Sequence, residues 1–154
     1  MKSLGDLVKK LERMANDVDK KAMEAQEKTA QQIWEDVIEN APLKTGEYIS
    51  SIEIEGPIKE GNSIKTFIGS GLQVGPAKST GKTYNLGYLL EHGTRPHDIY
   101  PIDSNYLVFT IDGKTIFTKH VWHPGTIAQP HYAIALEKNK KLFKDNIKLA
   151  WREK

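Results

Sequence analysis

Five histidines, His92, His97, His120, His123 and His131, are the side chains here best suited to chemistry. Imidazole is the commonest metal ligand and the one side chain that ordinarily titrates near neutrality. A helical zinc site needs two histidines four residues apart, and no pair here has that spacing on a helical stretch. His120 and His123 straddle the end of a strand-like run instead. Glu91, His92 and His123 are a triad that a fold would have to assemble, since their spacing alone does not. Histidines set beside Gly and Pro, as His92, His97, His123 and His131 are, ordinarily serve as hydrogen-bonded turn residues.

The stretch Gly75-Pro76-Ala77-Lys78-Ser79-Thr80-Gly81-Lys82-Thr83 has the composition of a phosphate-binding loop, in which backbone amides cradle phosphate and a lysine neutralises it. Five residues separate Gly75 from Gly81, where that motif has four. No apolar strand leads into it, and no apolar run ending in aspartate follows to hold magnesium. The chain has no cysteine, so thiolate nucleophiles, thiolate metal sites and disulfides are all excluded. It also lacks a Gly-x-Ser-x-Gly elbow and any carboxylate pair in apolar surroundings. The residue types therefore predict no catalytic site and no cofactor.

The elements that would carry these residues are legible from periodicity. The 154 residues suit one domain, with 38% hydrophobic and 27% charged residues as in a soluble globular protein. No apolar run approaches the roughly 20 residues of a membrane span, and residues 1–6 lack the apolar core of a secretory signal. Leu4, Leu7, Leu11, Met14, Val18, Ala22, Ala25, Thr29, Ile33 and Val37 recur at three- and four-residue intervals, which predicts an amphipathic helix over residues 1–40. Asn40-Ala41-Pro42 ends it, because the residue before proline avoids helical angles. Some 36 helical residues run about 54 Å. A compact chain of this length is roughly 38 Å across. Either the helix kinks at Asn16-Asp17 or other chains bury part of its stripe.

Thr45 is placed to cap a short helix beside Gly46. Ile52, Ile54, Ile64, Thr66 and Ile68 alternate onto one face around a Gly61-Asn62 turn, which predicts a hairpin. Residues 69–83 are glycine-rich and polar, and are expected to form a mobile loop. Residues 84–92 suit a short helix ended by Gly93. A second hairpin turns at Asp112-Gly113 between residues 106–110 and 115–118. A closing helix is predicted from Gln129-Pro130, with Tyr132, Leu136, Phe143, Ile147 and Trp151 on one stripe. Residues 137–154 carry seven basic and three acidic side chains, suited to a solvated face or to nucleic acid or an acidic neighbour. The expected class is α+β: a long N-terminal helix and a C-terminal helix packed on a small, mostly antiparallel β-sheet. The expected organisation is one domain over residues 1–154: helix 1–40, a β-rich core 41–128 and helix 129–154.

Three blocks lie at the junctions between elements. They are Ala41-Pro42-Leu43-Lys44-Thr45-Gly46-Glu47-Tyr48-Ile49-Ser50-Ser51-Ile52, then Tyr88-Leu89-Leu90-Glu91-His92-Gly93-Thr94, then Val121-Trp122-His123-Pro124-Gly125-Thr126-Ile127-Ala128-Gln129-Pro130-His131. In that order they resemble the phage head–tail joining family, also called neck or tail-completion proteins, over residues 4 to 145. Tyr48 stands where the family prefers leucine and His131 where it prefers phenylalanine, and the gap from Tyr88 to Glu91 is shorter than the family's. The resemblance implies a virion structural protein, not an enzyme, that joins the DNA-filled head to the tail as a homo-oligomeric ring. It would touch the phage connector and tail-tube or tail-terminator proteins, with no cofactor and no membrane. It would reside in the virion and, during assembly, in the host cytoplasm. Pro42, Thr45, Gly46, Glu91, Gly93, Thr94, His123, Pro124, Gly125, Thr126 and Pro130 are the structural and interface candidates, and Lys78 and Lys82 the candidate contacts to packaged DNA. The alternatives are a tail terminator or other polymer-capping module and, beyond that, a histidine-centred metalloenzyme.

Overall fold

The computed structural model describes residues 3–42, 46–75, 81–102 and 104–152. Helix α1 (Leu4–Asn40) leads to a short α2 (Glu47–Ser50) and the strands β1 (Ile52–Glu60), β2 (Ser63–Ser70), β3 (Gln73–Val74) and β4 (Tyr84–Asn85). Helix α3 (Leu86–His92) is followed by β5 (His97–Ile99), β6 (Leu107–Ile111), β7 (Lys114–Thr118) and β8 (Val121–His123). Helices α4 (Tyr132–Lys138) and α5 (Leu142–Arg152) close the chain. Of the described residues 47% are helical and 28% strand, segregated along the chain, so the class is α+β as the sequence predicts.

The chain divides into two compact units. The first is built on α1, against which β1, α4 and α5 pack. A reciprocal box starts α1: Ser3 Oγ accepts from the Asp6 amide at 3.2 Å while Asp6 accepts from the Ser3 amide at 3.0 Å. The helix runs unbroken through Asn16-Asp17 and ends at Asn40, as the proline at 42 requires. Its buried positions are Ala25, Thr29, Ala30 and Val37, all in the second half. Small residues there let α5 come close enough for Asn146, 6% exposed, to donate to Thr29 Oγ1 at 3.0 Å and to Gln32 Oε1 at 3.3 Å. The hairpin β1–β2 turns at Gly61-Asn62 as expected, with Ile52, Ile54, Ile64, Thr66 and Ile68 turned inward and Phe67 outward. Trp34 Nε1 donates to the Ile52 carbonyl at 2.8 Å, tying α1 to the start of β1.

The C-terminal segment departs from the expected single helix. It begins at Tyr132 rather than Gln129 and breaks at residues 139–141 into α4 and α5. The Asn139 side chain bends back to the Ala135 carbonyl at 2.9 Å and also reaches Asp36 at 2.5 Å, which stops α4. The covered face lies beside the predicted stripe, of which only Tyr132 and Ile147 are half-buried. Leu136, Phe143 and Trp151 are exposed, and Ala135 and Asn146 are buried instead. The basic run is partly neutralised within the chain: Lys138 pairs with Asp36, Lys140 with Glu137 and Lys148 with Asp145.

The second unit holds α2, α3 and three two-stranded ribbons: β3–β4, β5–β8 and β6–β7. The β6–β7 hairpin turns at Asp112 (φ 50°) and Gly113 (φ 76°), the left-handed pair that a tight two-residue turn demands. The stretch expected to be loop is partly strand. β2 extends to Ser70, and Gln73-Val74 pairs with Tyr84-Asn85, a two-residue clasp too short to show any periodicity. Residues 76–80 within it lie outside the described residues, as does the expected cap Thr45; Gly46 (φ 73°) occupies the N-cap position of α2.

Lys138 and Asn139 together hold the Asp36 carboxyl below its ordinary value of 3.8, the Lys138 hydrogen bond contributing most. Because the folded state binds that proton less tightly, the stabilisation is complete above the unfolded pKa and is lost as pH falls through the folded one. Asp36→Asn should therefore flatten the decline in urea-unfolding stability below about pH 4, while leaving its pH dependence between about 6 and 8 unchanged.

Candidate functional site

The second and third junction blocks meet. From Thr94 to Ile99 one segment runs antiparallel to Val121–Thr126. Thr94 and Thr126 exchange backbone hydrogen bonds of 3.0 and 3.2 Å, and His97, Asp98 and Ile99 face His123, Trp122 and Val121. The Gln129 amide extends the contact to the Leu90 carbonyl at 2.8 Å. Two glycines permit this crossing. Gly93 has φ 70°, and a Cβ on it would sit 2.4 Å from the Thr126 carbonyl oxygen. Gly125 has φ 88°, and a Cβ there would sit 2.3 Å from the Thr94 carbonyl oxygen. Both positions thus exclude a side chain by angle and by space. Pro124 and Pro130 are exposed at the two ends of the segment between β8 and α4, and Thr126 Oγ1 lies 3.3 Å from Thr94 Oγ1.

The first block reaches the second through residues that the motifs do not include. Ser51 Oγ lies 2.7 Å from Ser70 Oγ, and Asn85 Nδ2 donates to the Ser70 carbonyl at 2.5 Å. The Asn85 Oδ1 atom also caps α3 by accepting from the Tyr88 amide at 3.1 Å. A Cβ on Gly87 would stand 2.9 Å from Tyr48 Oη, so the buried Tyr48 ring seats against bare backbone. Asn85 immediately before an apolar helix was a legible cap signal. The serine pair was not, because residues 51 and 70 meet only in space. Pro42 is half-buried just after α1, and Glu91 is half-buried within α3.

The histidines disperse along this framework rather than converge. His97 stacks on His123 with ring centres 5.1 Å apart, and its Nδ1 donates to the Arg95 carbonyl at 2.8 Å. His123 Nδ1 accepts the Gly125 amide at 3.1 Å, which holds the turn. His120 donates to Asp98 at 2.5 Å, His92 lies against Tyr88, and His131 is wholly buried. Among the described residues no three His, Asp or Glu side chains group closely enough to hold a metal ion, and no helix is long and apolar enough to cross a membrane. Lys78 lies outside the described residues, and Lys82, which is described, is exposed.

What this arrangement offers outward is edges and apolar faces. Every ribbon has two strands, so each strand keeps one edge without a neighbouring strand among the described residues. Val108, Ile111 and Phe117 on β6–β7 and Trp122 on β8 are each more than half exposed. Open edges and grouped apolar side chains are places where another chain can pair or pack.

The described residues thus form a small α+β scaffold of glycine-pinned junctions and open ribbons. The family model for "Bacteriophage HK97-gp10, putative tail-component" matches residues 5–93, more than half of the chain, and the chain belongs to this HK97-gp10-like family. Membership carries a structural role in a tailed phage and a place among its virion proteins. The first junction block and the second as far as Gly93 lie within the match, and the third lies beyond it. No curated protein and no solved structure matches the chain.

The crossing at 93–126 yields a graded expectation. Gly93→Ala and Gly125→Ala should each cost roughly 3 kcal/mol or more, combining backbone strain with a clash against backbone that cannot step aside. Gly113→Ala, at φ 76° but in open space, should cost only about 1–2 kcal/mol. Urea unfolding of the three variants measures the difference.

Proposed function

We propose that the chain is a neck protein that joins the DNA-filled head to the tail by assembling as a ring. The observation that carries this reading is the set of two-stranded ribbons with open edges and apolar faces. A chain that needed only to fold alone would cover such edges. Head-to-tail contact between copies, each extending a neighbour's ribbon, closes into a ring when the rotation divides a full turn. The junction blocks, from Pro42, Thr45 and Gly46 through Glu91 to Pro130, would set the angle between elements and so the curvature. The work is assembly, not turnover, and it begins in the host cytoplasm. The neighbours would be the connector on one side and the tail-tube or terminator proteins on the other. The segment around Lys78 and Lys82 would face the channel, where two lysines per copy meet phosphate without regard to sequence.

The family's description as a tail component also favours a second reading, a cap at the end of the tail tube. Deleting the gene and imaging the lysate separates the two. A joining protein leaves filled heads beside finished, detached tails of normal length. A missing cap leaves tails that keep growing past that length. Attached, infectious particles in the deletion would end both readings. Lys78→Ala with Lys82→Ala should lower genome retention in assembled particles, and unchanged retention removes the channel role of that segment.

A further inference from the structure

The first four turns of α1 form an arm. Every described residue from 3 to 18 is exposed, and the first to be covered is Asp19, which pairs with Lys59 on β1. Leu4, Leu7, Val8, Leu11, Met14 and Val18 are between 44% and 79% exposed, so the arm carries six large apolar side chains that the chain itself does not cover. Leu4, Leu7, Leu11, Met14 and Val18 alternate at intervals of three and four. These intervals fit the 3.5-residue period of a coiled-coil seam, which Val8 and Ala15 widen on one side. Val8 and Ala15 flank the seam on one side, Lys10 and Asp17 on the other, and Glu12, Arg13 and Asn16 face away.

We propose that the arm pairs antiparallel with the arm of a second copy of this chain. Setting Leu11 against the partner's Met14 also sets Leu7 against the partner's Val18. In that register Lys10 falls beside the partner's Asp17, and by the two-fold symmetry Asp17 falls beside the partner's Lys10. Val8 falls beside the partner's Ala15 on the other flank, where two small apolar groups fit. A parallel pair would put Lys10 and Asp17 against alanines, at positions 15 and 22, and make neither ion pair. Among the described residues neither Lys10 nor Asp17 has a salt-bridge partner within the chain. The same register brings the partner's Leu4 to Lys21, whose ammonium sits 5.3 Å over the Trp151 ring. With three acidic and three basic residues between 4 and 18, the arm is neutral and has no pull toward phosphate or anionic lipid.

An isologous pair satisfies both arms and stops at two. It is therefore a contact distinct from the head-to-tail contact of a ring, and it does not depend on where in the virion the protein sits. The seam is only about two heptads long, so the pair should form in the micromolar to sub-millimolar range rather than permanently.

The absence of cysteine makes the test direct. Full-length Leu11→Cys and Met14→Cys proteins, mixed in equal amounts and oxidised, should give the 11–14 heterodisulfide in clear excess over either homodisulfide. Predominant 11–11 and 14–14 products, or no cross-linking into the hundreds of micromolar, would overturn the proposal. Sedimentation equilibrium adds a charge test. Lys10→Glu and Asp17→Lys should each weaken dimerisation about tenfold, and the double swap should restore it. Equal dimerisation in all four proteins would also overturn it. Circular dichroism confirms that each variant is folded.

Discussion

Close approach through small side chains is the contact on which the first unit depends. Ala25, Thr29 and Ala30 on α1 and Ala135 on α4 are almost fully buried, and they allow helix backbones to draw together where larger groups would hold them apart. The cost is a modest apolar core. Among the described residues the largest fully buried side chains are His131 and Val37, while Leu4, Leu7, Leu11, Phe67, Phe117, Trp122 and Trp151 stand at the surface. Specificity is supplied instead by polar contacts at fixed points. Asn146 locks α5 to Thr29 and Gln32, and Asp36 receives Lys138 and Asn139 at the break between α4 and α5. Because these contacts all lie in the second half of α1, its first half is left bare.

In the second unit the corresponding constraint is the crossing of two backbone segments at Gly93 and Gly125. No side chain fits there, so the position of α3 relative to the β5–β8 ribbon is set by backbone rather than by compressible packing. The Ser51, Ser70 and Asn85 network plays the same part on the other side of α3. The histidines that suggest chemistry by type are absorbed into this scaffold. His123 closes a turn, His97 stacks on it, and His120 holds Asp98.

The apolar residues outside these two frameworks are organised rather than scattered. One set follows a coiled-coil period on the arm, and another lies on ribbons that end in open edges. In the proposed assembly these surfaces would be buried when the chain meets its neighbours. Short, marginal seams suit that sequence of events, since each contact is weak until several form together.

Local patterns determined a good deal. The three- and four-residue recurrence and Pro42 define α1 to its last residue, Gly61-Asn62 and Asp112-Gly113 define two hairpins, and Gly93 ends α3. These signals act within a few residues, through backbone angles and side-chain period. The junction blocks are legible as glycine- and proline-rich turns, and their order points to the phage family. Tertiary structure alone decided the rest. The β5–β8 and β3–β4 pairings join segments too short to show a period, and the serine pair joins residues far apart in sequence. The division of the last helix turns on Asn139 meeting Asp36, which lies more than a hundred residues earlier in the chain. Sequence also marked which residues of α1 are apolar, but not which would be covered. That depends on where the rest of the unit ends along the helix, and it ends at Asp19.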